Sequence, residues 1–223
     1  MSKTFKIEDR FSKIAIIFSF ISLALGGLFG LLQLLGRSMI IRLDYSLYYL
    51  SLTAHGVLLA IVWTAFFIMG LAVFVVSREL SMNINPILLN LALILSLFGT
   101  ILAAIPILLG QANVLYTFYP PLLANPMFYL GAAILVIGTW IFAAAIFLTF
   151  LKWRNNNKNV AIPLGTFGVL ATLIVWLEAT PGLAIEVIKN LIPMSLFGIP
   201  VDVLESRTYF WYFGHPLVYF WLI

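Results

Sequence analysis

Residues 47–77 read LYYLSLTAHGVLLAIVWTAFFIMGLAVFVVS, without a lysine, arginine, aspartate or glutamate among them. A helix of about 20 apolar residues crosses the hydrocarbon core of a bilayer, and this run exceeds that. Lipid offers an open backbone no partners, so the run must close its hydrogen bonds internally, as a helix does. Set within it is His55, one of two histidines in the chain.

Similar runs lie on both sides, at 14–36, 87–110, 127–151 and 162–188, and a sixth starts near Thr208 and reaches residue 223. The sequence is 63% hydrophobic and 9% charged, with a mean hydropathy of +1.12. Soluble domains are about 45–50% apolar and about 25% charged. The expected fold is therefore all-α, a polytopic transmembrane helical bundle of five complete spans and a shortened sixth, with membrane lipid as its surroundings. The first run is too long for the core of a cleavable signal, which spans about 7–15 residues. Cysteine is absent, which excludes disulfides and thiolate metal sites. The net charge of +4 bears on topology, and no nucleic-acid partner is expected.

Between Leu80 and Leu151 there is no charge, and Asn113, Pro120, Pro121 and Asn125–Pro126 divide that stretch, since such residues mark turns. Lys3, Lys6, Arg10, Lys13, Arg78, Lys152, Arg154 and Lys158 fall on one side of the spans, and Arg37, Arg42, Lys189 and Arg207 on the other. The richer side faces the cytoplasm, so the N-terminus is expected there. His55 and His215 then fall near the outer ends of the second and sixth spans.

Ionisable residues within spans are costly and mark pathways or cofactors. The plainer reading of each histidine is a packed ring bonded to a backbone carbonyl. Two at similar depth favour ligands. Gly56 follows His55, and a missing side chain lets a flat macrocycle approach the backbone. Neutral imidazole is an axial ligand for haem iron. In GHPLVY, His215 and Tyr219 are spaced i, i+4 and share a helix face. Imidazole suits copper, a phenol can supply a proton and an electron, and Pro216 loosens the helix. The plainer reading here is a kinked helix with an aromatic stripe. Glu186 is expected to pair with Lys189 one turn on. Glu178 lies deeper and either bonds a neighbouring helix or lines a water path. Arg37, Arg42 and Arg207 are read as interface anchors, with pairing to haem propionates the alternative.

At this point a family emerges. WYFGHPLVYFWL (211–222) resembles the sixth-helix motif of subunit I of the haem–copper oxygen reductases. YYLSLTAHGVLLAIVW (48–63) resembles that family's second helix, and YTFYPPL (116–122) the loop after its third. The three appear in the family's order. The resemblance implies that His55 is an axial ligand of the low-spin haem. It implies that His215 is one of three histidines on the copper CuB, and that Tyr219 is covalently joined to that ring and donates a proton and an electron when the O–O bond breaks. The implied cofactors are a low-spin haem, a high-spin haem and CuB. The implied partners are O2, other oxidase subunits including a subunit II, and an electron donor: cytochrome c, a small copper protein or quinol. The setting implied is a prokaryotic plasma membrane.

Leu217 stands where many relatives carry a glutamate, and SRELSMNINPILLN (77–90) lacks the aspartate that opens the same proton channel. This pattern resembles the B-type oxidases, with a single proton path ending at Tyr219. Nitric oxide reductases lack the tyrosine, so Tyr219 argues for oxygen. The family's remaining histidines are absent here, so residues 1–223 are expected to be the N-terminal part of a longer subunit I domain, inactive alone. The alternatives are a proton-coupled transporter using His55, Glu178 and Glu186, and a membrane anchor whose histidines only pack.

Overall fold

A computed structural model describes residues 4–222. Lys3 and Ile223, which entered the charge count and the sixth span, lie outside the described residues. The described chain folds into six helices: α1 (Lys6–Arg37), α2 (Tyr45–Glu79), α3 (Pro86–Leu108), α4 (Pro126–Asn156), α5 (Leu164–Phe197) and α6 (Val203–Leu222). The first five are long and apolar enough to cross a membrane; this is a multi-pass membrane protein.

The helices overrun the hydropathy-based limits at several ends. α1 begins at Lys6 and carries Glu8 and Asp9 in its first turn and Arg37 in its last, charges that suit the helix dipole. α5 continues past residue 188, the expected limit of the fifth span, through Lys189 to Phe197. Hydropathy finds the part of a helix that suits lipid. Capping decides where the helix stops. Asp44 caps α2 by accepting from the Leu47 N–H at 2.8 Å. Asn85 and Asn125 cap α3 and α4, each followed by proline in the first turn, where its missing N–H costs nothing. α5 has no cap of its own. Glu79, at the end of α2, accepts instead from the backbone N–H and hydroxyl of Thr166 at 2.6 and 2.8 Å. Gly198 ends α5 at φ +66°, the left-handed conformation common after a helix.

Packing follows small residues. A Cβ built on Gly99 would lie 2.6 Å from the Gly131 oxygen, and one on Gly131 2.7 Å from the Gly99 oxygen. α3 and α4 therefore meet backbone to backbone, as glycines permit in membranes. Two reciprocal bonds tie α4 to α5: Trp176 donates to Thr139 at 2.8 Å and Trp140 donates to Thr180 at 2.7 Å. α6 returns antiparallel along α5, because Glu186 meets Ser206, Gly182 meets Tyr212 and Trp176 meets Phe220. At the end of the bundle that holds the start of α1, the buried Glu8 accepts from the Ile84 N–H at 2.8 Å, and Arg78 pairs with Asp9. These contacts fix the α2–α3 turn against α1.

Candidate functional site

His55 lies ten residues into α2, about 15 Å along it at 1.5 Å per residue. His215 lies about 18 Å along α6 on the same measure. The sequence reading put both near the outer ends of their spans. That reading started α2 two residues late and α6 five residues late.

The His55 ring is held from α1. Its Nδ1 is 2.8 Å from the carbonyl oxygen of Gly26. A carbonyl can only accept, so Nδ1 carries the proton and Nε2 keeps its lone pair. The ring reaches that oxygen because Gly30 leaves room: a Cβ there would be 2.7 Å from Cε1. Sequence reasoning missed Gly26 and Gly30. Their i, i+4 spacing on the helix before His55 was the only available signal. Gly56 also makes room for the polypeptide itself. A Cβ on it would meet the Cβ of Tyr116 at 2.6 Å, so its bareness admits the loop carrying YTFYPPL. That loop is pinned there by the Leu115 N–H, which donates to Thr53 Oγ1 at 2.9 Å.

Directly after His55, α2 makes a wide π turn over Leu58–Trp63. Such turns are frequent at functional sites. Between this part of α2 and α6 opens a cavity of about 880 Å³. His55, Gly56, Leu59, Tyr116, Trp211 and Gly214 are among the residues that line it, and its walls are mostly apolar. An imidazole with one nitrogen left free, lining a large apolar space, suits a macrocycle with a metal at its centre.

His215 and Tyr219 lie elsewhere. Nε2 of His215 and the Tyr219 hydroxyl share a hydrogen bond at 3.1 Å, with ring planes 75° apart. Both side chains are exposed, Tyr219 to 48%. Phe213, Gly214, Leu217 and Phe220 form the buried face of the same helix. The structure thus joins His215 to Tyr219, as the i, i+4 spacing requires, and leaves His55 on a separate surface. Among the described residues no group of three or more His, Asp or Glu side chains gathers around a common point. His215 Nδ1 makes no hydrogen bond among them, which leaves that nitrogen for a metal.

The acidic residues differ from expectation. Glu186 is fully buried and does not pair with Lys189. It accepts from the Ser206 hydroxyl and, at 2.8 Å, from Asn190 Nδ2. Lys189 pairs with Glu205 and stacks over the Tyr209 ring at 5.6 Å. The correction has a geometric cause: α6 returns along the face of α5 that carries Glu186 and brings closer partners. Arg37 donates to the Tyr48 hydroxyl at 2.8 Å. Leu217 is buried and lines the cavity.

Residues 10–223 match the family model described as cytochrome c and quinol oxidase polypeptide I. Over 226 residues the chain is 38% identical to cytochrome c oxidase subunit 1 of Thermus thermophilus, with 97% of this chain and 40% of that protein covered. It is 27% identical over 203 residues to the subunit 1 of Thermostichus vulcanus, covering 81% and 36%. A heme-copper terminal oxidase dimer solved by cryo-electron microscopy superposes with a TM-score of 0.92 at 37% identity, covering 96% of this chain and 38% of that one. The chain spans about 40% of the length of the relatives it matches.

Proposed function

The chain belongs to the cytochrome c and quinol oxidase polypeptide I family, and from that premise we propose that it forms part of the core subunit of a terminal respiratory oxidase that reduces O2 to water. When bound, the haems and CuB supply electron relay and the metal site where oxygen is reduced; the remaining ligands come from polypeptide outside these residues.

In this reading His55 holds the low-spin haem through Nε2. Support comes from the bond to Gly26, which keeps the proton on Nδ1. His215 holds CuB. Nε2 faces the phenol, so Nδ1 is the nitrogen left for the metal. Tyr219 stands within hydrogen-bond reach of that imidazole and keeps a proton on its phenol oxygen for delivery to the reacting oxygen. Geometry of that kind suits general acid catalysis. Leu217, buried where a carboxylate would serve a second channel, supports a single proton path ending at Tyr219, the B-type arrangement.

The single observation that carries the proposal is the His215–Tyr219 pair at 3.1 Å. The transporter alternative lacks a comparable feature. Glu186 is tied up by Ser206 and Asn190, and His55 by Gly26. Partners in this reading are a subunit II, other oxidase subunits and a donor that is cytochrome c, a small copper protein or quinol, in a prokaryotic plasma membrane. The test is to purify the complex that carries this chain, record a reduced-minus-oxidised spectrum and measure copper. Two haem species and at least one copper per complex are expected; a transporter or an anchor gives no haem bands.

A further inference from the structure

Glu186 is a buried carboxylate that the proposed chemistry does not use. It is fully enclosed in the later part of α5, as is Ser206 near the start of α6. The two meet through the Ser206 hydroxyl, which donates to one carboxylate oxygen. Asn190, one turn on from Glu186 and also buried, donates to the other at 2.8 Å. A carboxylate held away from water is costly unless its oxygens are bonded in this way.

Among the described residues two polar contacts join α6 to α5. One is the Lys189–Glu205 pair, whose side chains are 51% and 35% exposed. Ion pairs of that kind contribute little and hold no single geometry. The other is the enclosed Ser206–Glu186 bond. The remaining contacts are apolar: Gly182 packs on Tyr212, and Trp176 on Phe213 and Phe220. Apolar contact is non-directional and survives small rotations, whereas a hydrogen bond weakens steeply away from its axis. Helices in lipid also lack a hydrophobic drive towards one another. The buried bond is therefore the contact that selects one rotation and one height for α6.

That rotation decides where the ligand points. His215 follows Ser206 by nine residues, about two and a half turns at 3.6 residues per turn. With Ser206 turned into α5, His215 is turned away from it. Tyr219, four residues further, stays on the side of His215. The exposure of both side chains agrees. No proline lies between Ser206 and His215, so the helix carries the setting unbroken over about 14 Å.

We propose that Glu186 is a positioning residue for the copper ligand: through Ser206 it fixes the rotation of α6, and with it the direction of His215 and Tyr219. The inference rests on the proposed function, in which His215 holds CuB.

The test uses the purified whole complex, reduced under carbon monoxide and photolysed at low temperature so that the probe moves to copper. The infrared stretching band of copper-bound carbon monoxide reports the geometry of the imidazole ligands. Ser206→Ala and Glu186→Leu delete the bond and are expected to shift the band or split it. Ser206→Thr and Glu186→Gln keep a hydroxyl and an acceptor oxygen and are expected to leave it at the parent position. Thr180→Val, which removes the acceptor of Trp140 between α4 and α5, is the control: the thermal midpoint should fall with the band unmoved. A parent-like band in Ser206→Ala overturns the proposal. So does an equal shift in Thr180→Val, which marks general loosening. Should Glu186→Leu fail to assemble, Ser206→Ala, smaller by one oxygen, decides alone. A parent complex that binds no carbon monoxide on copper defeats the oxidase reading and this inference with it. A normal parent band that no substitution moves defeats this inference alone.

Discussion

His55 donates its Nδ1–H to the carbonyl oxygen of Gly26 at 2.8 Å, across the α1–α2 contact. The bond fixes which nitrogen carries the proton, and the bare Cα of Gly30 makes the approach possible. A hydrogen bond that orients a metal-ligating imidazole is worth about 10- to 100-fold in metal affinity.

Gly30→Ala should disturb that arrangement, because its methyl group would sit 2.7 Å from His55 Cε1. The expected result is a shifted or diminished low-spin haem band with copper unchanged. Difference spectra beside copper analysis check this. An unaltered band means that Gly30 does not constrain the ring.

His55→Ala removes the ligand itself. The low-spin haem is expected to be lost while copper stays, since His215 lies on another surface. If both haems persist with normal spectra, His55 is not the ligand.

Tyr219→Phe keeps the ring and deletes the hydroxyl that bonds His215 at 3.1 Å. The complex should assemble and bind its metals. O2 consumption should fall by about 10²- to 10⁴-fold, the scale of general acid catalysis. Near-normal turnover shows that the phenol is dispensable.

Thr139→Val takes the acceptor from the indole N–H of the buried Trp176. An orphaned buried donor costs about 1–3 kcal/mol. Thermal unfolding of the complex should show the loss, and pairing with Trp176→Phe in a double-mutant cycle isolates the bond. Equal midpoints for Thr139→Val and the parent would show that the bond adds nothing to stability.

The spans and the His215–Tyr219 pair were legible because their signals are local. A charge-free run announces a helix in lipid, and residues four apart share a face whatever surrounds them. Helix ends were less legible. The Lys6 start of α1 and the Phe197 end of α5 depend on capping and on neighbours, which hydropathy does not record. Glu186 shows the limit plainly: Lys189, three residues away, was the nearest opposite charge in sequence, yet Ser206, twenty residues on, holds the carboxylate.

By itself the sequence determined that this chain is a membrane bundle, which residues are candidates for ligand chemistry and which family they resemble. Those properties follow from hydropathy, spacing and residue type. Only the tertiary structure decided how each helix is rotated about its axis and where it stands in height against its neighbours. That rotation and height place the Gly26 oxygen on His55, fill the space over Gly56 with Tyr116 and bring Ser206 to Glu186. Contacts between distant segments depend on packing of the whole bundle, and no stretch of a single helix encodes them.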